Sequence, residues 1–488
     1  MNKFVKYLML IVVVFYYQPI LAQKTVIITI KDTGKIIIDK NIYGQFAENL
    51  GRSIYDGFYR NGKIRLDIVA ALKAIQVPNL RWPGGCFADQ YHWRDGVGTK
   101  RPHTVNTTWG MVPEDNSFGT EEFLELCRQI GCQPYIAGNV GTGSPQEMKD
   151  WITYLNYDHH NKVSLWGVGN ESWGCGGNMT PEYYTSLYKH FASFLPDYPG
   201  THLKKIISGA NADDYHWTEV MMKNISLDEA YGLSLHYYTF PTGGWSPRGS
   251  ATHFSETEYL HTLVEAEKID TILAHHERIM DKYDQQKKLA LLVDEWGVWT
   301  DVEPGTPKYA MYQQNSLRDA LIAATTLNIF NNHADRVRGA NLAQCVNVIQ
   351  SLILTKGDAM LLTPTYFVFD LYQVHQDAQL LPIKMTAVQS DVGKDTISMV
   401  NASASKDKDG IIHISLVNLS PVMPVQIQIP MAGSKVTGMI LTSARATDIN
   451  TFEQPTKIKP ANFLNAAIKN KTVNATLPPL SVVLLTIK

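Results

Sequence analysis

Short apolar runs alternate with amphipathic helical patterns from about residue 41 to residue 375. The runs are rich in Val, Leu and Ile and end at Gly, Asn or Asp, which is typical of buried parallel strands. Between two of them, Glu121–Ile130 carries its apolar residues at helical spacing and predicts one buried helix face. The eight predicted strands begin at Asn41, Asn79, Gln133, Val163, Lys205, Tyr231, Lys288 and Val337. This alternation predicts an α/β fold, a (β/α)8 TIM barrel over residues 41–375.

The pattern of apolar positions changes after about residue 376. Ile412–Leu416 and Val425–Ile429 alternate apolar and polar residues, as strands with one buried face do. We therefore predict a C-terminal antiparallel β-sandwich over residues 376–488. Thr25–Ile30 and Lys35–Asp39 predict an N-terminal hairpin. Residues 23–40 should join the sandwich, because the barrel already has its eight strands.

The N-terminus has the charge and apolar pattern of a targeting segment. Lys3 and Lys6 precede an apolar stretch from Tyr7 to Tyr17, and the small residue Ala22 follows. This order predicts a secretory signal peptide over residues 1–22. The alternative is a membrane anchor, for which the apolar stretch is short. We therefore expect export to the periplasm or the extracellular space, with no membrane attachment once the signal is removed.

Composition excludes several classes of partner. The chain has 488 residues, of which 44% are hydrophobic and 18% charged, so it is neither disordered nor fibrous. A formal net charge of −2 gives no reason to expect nucleic acid as a partner. The five cysteines fit no zinc spacing, and we expect neither a metal nor another cofactor. An odd number leaves at least one thiol unpaired, and the pairing of the others stays open.

Two glutamates carry the chemistry that this pattern indicates. Glu171 and Glu295 each lie just past a predicted strand, where TIM barrels place their active sites. Hydrolysis of a glycosidic bond requires two carboxyl groups, one on each side of the bond. Glu171 is the better candidate for the general acid/base, because the charge of a nearby Glu295 would raise its pKa. Glu295 is then the nucleophile.

Several segments together resemble one enzyme family, glycoside hydrolase family 51. These segments are Tyr43–Gly51, Arg81–Asp89, Tyr91–Gly96, Trp166–Glu171 and Asp294–Gly297. That family consists chiefly of α-L-arabinofuranosidases built from a barrel and a β-sandwich. The resemblance covers nearly all of the chain after residue 22. It implies the same two catalytic glutamates that the strand ends indicate.

The resemblance also implies a set of sugar-binding residues. Asn170 would hydrogen-bond the 2-hydroxyl of the sugar, and Glu48 would bind other hydroxyls through charge-assisted hydrogen bonds. A glutamine late in the barrel matches Gln344 best, with Gln350 as the alternative.

Tyr238 would contact the nucleophile and keep it aimed, and His236 precedes it on the same strand end. From the residues alone, Arg81 could form a sugar-binding pair with Trp82 or be a buried structural arginine under the barrel mouth. Held near Glu295 or Glu48, it would keep that carboxylate ionised. Cys86 departs from the family, in which many members carry a sugar-binding Asn, since a thiol is a poor hydrogen-bonding group. Either Asp89 or Arg81 takes over those contacts, or Cys86 only shapes the wall of the site.

Together these features predict an exported, retaining exo-α-L-arabinofuranosidase. It would release terminal arabinofuranose from plant arabinoxylan, arabinan or derived oligosaccharides by double displacement. One alternative keeps the two glutamates but changes the substrate, giving a β-xylosidase or an endo-β-glucanase. Another is a non-catalytic carbohydrate-binding protein. The sequence leaves open whether the chain forms homo-oligomers.

Overall fold

The computed structural model describes residues 24–32 and 34–488, and within them eight parallel strands close into a barrel. The predicted signal peptide lies outside the described residues. The barrel strands are Gly44–Phe46, Asn79–Trp82, Gln133–Gly138, Leu165–Val168, Lys204–Asn211, Gly232–Thr239, Ala290–Val298 and Val337–Leu342. All eight coincide with predicted strands, and the TIM-barrel prediction is confirmed.

Each barrel strand is followed by an α-helix in the described chain. The helices are Leu66–Ala74, Thr120–Ile130, Pro145–Thr153, Pro181–Ala192, Tyr215–Asn224, Glu256–Tyr283, Leu317–Asn332 and Pro364–Tyr372. Helical spacing at Tyr312–Phe330 predicted an earlier start for the seventh helix. That helix begins at Leu317, where the Asp319 carboxylate reaches back and accepts from the backbone N–H of Ser316 at 2.7 Å.

Two stacked sheets form the predicted β-sandwich. The five-stranded sheet contains, in spatial order, Ile383–Met385, Lys24–Ile30, Val425–Pro430, Thr472–Leu477 and Ala466–Lys469. The six-stranded sheet contains Gln379–Leu380, Val400–Lys406, Ile412–Asn418, Ser481–Ile487, Val436–Thr442 and Ala461–Asn462. The division into separate domains at residues 40 and 375 stays a proposal.

The N-terminal segment joins the sandwich, but not as the predicted hairpin. Lys24–Ile30 pairs in parallel with Val425–Pro430 and antiparallel with Ile383–Met385. Lys35–Asp39 makes only an isolated bridge, from Ile37 to Gln379. The hairpin prediction is therefore wrong, because both edges of the first strand are taken by strands from the far end of the chain.

The remaining elements are short. Two-stranded ribbons pair Tyr59–Arg60 with Lys63–Ile64, Thr104–Asn106 with Val112–Glu114, Ile353–Lys356 with Ala359–Leu362, and Gln389–Val392 with Asp395–Ser398. Single helical turns are Lys40–Tyr43, Cys86–Gln90, Trp93–Gly96, Tyr154–Asp158, Lys308–Ala310 and Gln373–His375. In residues 24–32 and 34–488, no helix combines the length and the apolar character needed to span a membrane.

The seventh helix, Leu317–Asn332, joins the barrel to the sandwich. It packs against the Val400–Lys406 and Ile412–Asn418 strands, and residues 317–331 are all buried. Its polar side chains are bonded across this seam: the amide of Asn331 donates to Ser403 Oγ at 3.1 Å. The sandwich therefore covers a helix of the barrel, and this helix is buried between the two parts of the chain.

Candidate active site

Glu171 lies in a tight turn after the fourth barrel strand. Its backbone has φ +40°, and Gly169 before it has φ +93°, so the chain reverses sharply there. The backbone N–H groups of Gly174 and Gly176 donate to the carbonyl of Glu171 at 2.7 and 3.1 Å. The turn holds the Glu171 side chain at the barrel mouth, where 16% of it is exposed.

Glu295 lies within the seventh strand and is held from two sides. Arg81 donates to its Oε1 at 2.7 Å, and the hydroxyl of Tyr238 donates to its Oε2 at 2.8 Å. A Cβ at Gly85 would stand 2.9 Å from Oε1, so only glycine fits the chain that passes this carboxylate. Both of its oxygens are thus engaged and its orientation is fixed.

His236 contacts both glutamates. It is the direct neighbour of Glu295 on the adjacent strand. Its Nδ1 is 2.9 Å from Glu171 Oε1 and 3.7 Å from Glu295 Oε2, and its Nε2 is 3.0 Å from Asp294 Oδ1. Burial alone would lower the pKa of this imidazole. The charge of Glu295 and contacts with Asp294 and Glu171 raise the pKa to about 10, so His236 is a cation at neutral pH.

The two carboxyl groups lie within reach of a single glycosidic bond. One oxygen of Glu171, one of Glu295 and a ring nitrogen of His236 all lie within 4.8 Å of one another. Burial raises the pKa of Glu171, the hydrogen bond with His236 lowers it, and the charge of Glu295 raises it again; the net shift is upward. A raised pKa is what a carboxyl group needs to donate a proton near neutral pH.

Asn170 is bonded to Arg81 through its side-chain oxygen, while its side-chain N–H donor stays unpaired among the described residues. Its Oδ1 accepts from Arg81 at 2.6 Å. Its buried Nδ2 donor has no hydrogen-bond partner in the described chain, and it would be 3.6 Å from a Cβ at Gly85. Buried donors are rarely left unpaired, so this amide indicates a place where a ligand supplies the acceptor.

Glu48 lies close enough to Glu295 to feel its charge and is 2% exposed. Its carboxylate accepts hydrogen bonds from the backbone N–H of Phe87, the indole of Trp109 and the amide of Gln344, at 3.0, 2.9 and 3.0 Å. Burial and then the charge of Glu295 raise the pKa of Glu48 to about 7. The buried Oε1 of Gln344 has no partner among the described residues.

Gln350, the alternative to Gln344, lies beneath the site rather than in it. Its amide donates to the carbonyl of Asp319 at 2.7 Å and to Thr365 Oγ1 at 3.2 Å, and its Oε1 accepts from the Val298 backbone at 2.7 Å. The structure therefore brings Gln344, and not Gln350, to the carboxylate of Glu48.

Cys86 is not a thiol, and the expectation built on a thiol at this position is wrong. It forms a disulfide with Cys175, 89 residues later, with 5.4 Å between the two Cα atoms. Cys127, Cys132 and Cys345 remain thiols in the described chain. The sulfurs of Cys175 and Cys86 lie 3.3 and 3.9 Å from Glu171 Oε2, and they pack against it because neither carries a hydrogen to donate.

Asp89 lies one turn beyond Cys86 and supports a neighbouring loop. Its Oδ1 accepts from the backbone N–H groups of Val140 and Gly141, both at 2.9 Å. Burial raises the pKa of Asp89 to about 7, against the effect of these bonds. With 5% of its surface exposed, Asp89 contributes to the site mainly by holding the loop after the third strand.

Sequence reasoning missed three residues at this site as functional candidates. Tyr135 donates to Asp294 at 2.6 Å, and Asp294 lies 3.0 Å from His236. An aspartate inside the apolar run before Glu295 was the available signal for Asp294. Nothing in the local sequence distinguishes Trp109 from any other tryptophan in a long loop.

Comparisons with known proteins establish the family of this chain. Residues 71–246 match a family model described as alpha-L-arabinofuranosidase 1 domain, and residues 294–481 match one described as alpha-L-arabinofuranosidase C-terminal domain. A Bacteroides ovatus protein named intracellular exo-alpha-L-arabinofuranosidase is 48% identical and aligns over 95% of this chain and 96% of its own. The chain belongs to the α-L-arabinofuranosidases of glycoside hydrolase family 51.

Solved structures of this family share the fold of this arabinofuranosidase. The family 51 arabinofuranosidase of Xanthomonas axonopodis pv. citri superposes with a TM-score of 0.92 at 45% identity, covering 95% of this chain and 100% of its own. An α-L-arabinofuranosidase from Thermotoga maritima, in an arabinose complex, gives 0.81 at 28% identity, covering 95% of this chain and 99% of its own. As an arabinofuranosidase, the enzyme acts on arabinose-containing glycans.

The comparisons overturn one expectation. The Bacteroides ovatus relative, which aligns over 95% of this arabinofuranosidase, is named intracellular. The expectation of a secreted protein, exported to the periplasm or beyond, is therefore wrong. The N-terminal residue pattern on which it rested is a short apolar stretch that does not by itself establish export.

Proposed function

We propose that the enzyme is a retaining, exo-acting α-L-arabinofuranosidase that works by double displacement. The observation that carries this proposal is the group formed by Glu171, His236 and Glu295, whose reactive atoms lie within 4.8 Å of one another. Retaining glycosidases hold their two carboxyl groups about 5–5.5 Å apart, and inverting ones hold them farther apart to admit a water.

In the first step, a carboxylate oxygen of Glu295 bonds to the anomeric carbon as the glycosidic C–O bond breaks. Glu171 gives its proton to the departing oxygen, which leaves as an alcohol. Arg81 and Tyr238 keep Glu295 in position for this attack. The Nδ2 of Asn170, which has no partner among the described residues, is available to the 2-hydroxyl of the sugar.

In the second step, Glu171 removes a proton from water and the water oxygen displaces Glu295 from the anomeric carbon. Glu295 carries no charge while it is glycosylated. Since that charge raises the pKa of Glu171 in the free enzyme, its loss lowers the pKa and favours the role of base. Two inversions return the sugar with its original configuration.

Terminal arabinofuranose is supported as substrate by the group of hydrogen-bonded side chains around Glu48. Glu48, Trp109 and Gln344 are bonded into one group there, and Gln344 keeps a free acceptor within the described chain. A Cβ at Gly84 would stand 2.5 Å from the side chain of Glu48, so the chain closes tightly around it. A closed wall of hydroxyl-binding groups suits one terminal sugar better than a polymer that runs through the site.

The test combines two variants with a panel of aryl glycosides. Glu295→Ala should lose at least roughly 10⁴-fold in kcat on an aryl α-L-arabinofuranoside. The kcat of Glu171→Ala should fall much less on a substrate with an acidic phenol as leaving group than on one with a weakly acidic phenol, because an acidic phenol departs without a proton. Glu182→Ala, at an exposed glutamate on the helix after Glu171, is the matched control.

Two further outcomes decide the stereochemistry and the substrate. NMR of the first product should show arabinose in the α configuration, and β-arabinose appearing first would contradict retention. The panel also includes an aryl β-D-xyloside and an aryl β-D-glucoside. If the enzyme hydrolyses either of these faster than the arabinofuranoside, the proposed substrate is wrong but the proposed mechanism still holds. Equal losses in Glu171→Ala on both kinds of leaving group would remove Glu171 as the acid.

A further inference from the structure

A row of aromatic rings leads from the nucleophile to the surface. Tyr238, which donates to Glu295, packs edge-on against Trp299 with 4.9 Å between ring centroids. Trp299 in turn packs against Trp245 at 5.1 Å. Trp245 lies in the long loop after the sixth strand and is 62% exposed, although it is a large apolar side chain. An exposed tryptophan beside a glycosidase active site is a surface on which a sugar ring can stack.

Arg248, three residues further along this loop, lies over the same rings. Its guanidinium carbon is 4.3 Å from the ring centroids of both Trp245 and Trp299. Cation–π contacts of this kind fix the position of the Arg248 guanidinium at the barrel mouth without neutralising its charge.

The charge of Arg248 has no partner in the described structure. No carboxylate of residues 24–32 and 34–488 comes within 4.0 Å of its guanidinium, and its buried Nε has no hydrogen-bond acceptor there. The neighbouring carboxylate of Asp301 accepts instead from the backbone N–H groups of Arg248 and Gly249, at 3.2 and 3.0 Å. Arg81, the arginine inside the site, is by contrast ion-paired with Glu295.

We propose that Arg248 and Trp245 form a subsite for a leaving group that bears a carboxylate, such as a uronic acid unit to which the arabinose is attached. The ring of that unit would stack on Trp245, and its carboxylate would pair with the fork of donors on Arg248. This inference rests on the proposed function, since it concerns the group that departs from the same site.

Burial without a counter-ion disfavours the charge of Arg248. Burial indeed lowers the pKa of Arg248, and the field of Asp301 compensates for only part of that effect. An arginine kept charged, stacked and unpaired at the mouth is suited to an anion that arrives with the substrate. The chain as a whole, with a formal net charge of −2, supplies no general attraction for such an anion.

The test uses two aryl α-L-arabinofuranosides that differ in one group. One has a 3-carboxyphenyl leaving group and the other has its methyl ester, which lacks the charge. Arg248→Gln should lower kcat/KM on the acid about tenfold more than on the ester, as a lost charge pair at a half-buried site would. Because each substrate is compared with itself in the wild-type enzyme, differences in leaving-group reactivity cancel.

Arg94 offers a matched control, since it stacks on Trp93 at 4.6 Å but is paired with Asp150 at 2.8 Å. Arg94→Gln should change both substrates equally. In the wild-type enzyme, raising the ionic strength about tenfold should reduce the preference for the acid, because salt screens a partly exposed pair. That measurement needs no variant and stands even if Arg248→Gln folds poorly.

Equal losses on acid and ester in Arg248→Gln would show a role in holding the loop and would overturn the proposal. No loss on either substrate, or an acid preference that salt does not alter, would overturn it as well. A wild-type enzyme that turns over neither arabinofuranoside would instead contradict the proposed function, so the two failures are distinguishable.

Discussion

Two buried histidines show how differently the barrel mouth and the barrel–sandwich seam treat charge. His236 at the mouth is surrounded by carboxylates, and its pKa is raised to about 10. His375 at the seam is held by two hydroxyls, Ser405 Oγ at 2.7 Å from Nδ1 and Ser415 Oγ at 2.5 Å from Nε2. Burial, with a smaller effect of His413, lowers the pKa of His375 to about 3.

The difference between the pKa values of the two histidines shows how burial acts on an imidazole with and without carboxylates nearby. At the seam, burial removes the charge, and a neutral imidazole bridges two strands of the six-stranded sheet. At the mouth, Asp294, Glu171 and Glu295 outweigh the same burial, so a cation remains between the acid/base and the nucleophile. Burying charged groups disfavours folding unless each charge has a partner of opposite sign. Clusters of buried charges are nevertheless typical of catalytic sites.

Of the changes that test this comparison between the two histidines, removing the cation at the mouth should have the largest effect. His236→Asn should lower kcat/KM on a substrate with a weakly acidic leaving group roughly 100-fold, because Glu171 loses its hydrogen-bond partner. That bond lowers the pKa of Glu171, so without it the pKa rises and the alkaline limb of the pH–rate profile moves to higher pH. The profile of kcat/KM against pH measures both effects, and an unmoved limb would contradict the role of His236.

An intermediate effect, on stability alone, is expected at the seam. The lowered pKa of His375 contributes stability that is fully present above its unfolded pKa of about 6.5. This contribution is lost as pH falls towards the folded pKa of about 3, at up to about 1.4 kcal/mol per pH unit. His375→Gln should cost about 1–3 kcal/mol at neutral pH by breaking a buried bond, with kcat unchanged.

Denaturant unfolding at about pH 7.5 and about pH 5.5 checks this. The wild-type enzyme should lose more stability between the two values than His375→Gln does. An equal loss in both proteins would show that His375 titrates as it does in the unfolded chain. His236→Asn and His375→Gln also serve as controls for each other, since only the first should alter the pH–rate profile.

The smallest effect should come from the disulfide beside Glu171. Breaking it, by Cys175→Ser or by a reducing thiol, should lower kcat/KM only about three- to tenfold, since its sulfurs bring Glu171 neither charge nor a hydrogen bond. Cys132→Ser, at a free and partly exposed thiol, is the control. A loss as large as that of His236→Asn would mean that packing, and not charge, dominates the acid/base environment.

Much of the site was predictable, because in a barrel the local pattern of apolar residues shows where each strand ends and which residues lie at the mouth. Apolar runs located all eight strands, and a polar residue just past such a run lies at the mouth whatever its distance along the chain. Glu171, Glu295, Glu48, Asn170 and Gln344 were found in this way, or with the family resemblance added. Their positions are determined by the structure, whereas their catalytic and binding roles stay proposals.

What could not be predicted depends on contacts between distant segments. The seventh helix starts five residues later than the apolar period predicts, because the bond from the Ser316 backbone to Asp319 decides where it begins. Cys86 was read as a thiol because its partner lies 89 residues away, and spacing alone cannot pair five cysteines.

The sequence by itself determined the order of strands and helices and placed one glutamate just past an apolar run and another at the end of one, since these follow from periodicity over a few residues. Only the tertiary structure decided the charge on His236, the disulfide against Glu171 and the unpaired Arg248. It also decided that Lys24–Ile30 pairs with a strand some 400 residues later. The physical reason is that a charge state or a pairing depends on neighbours in space, and those are assembled only when the barrel closes.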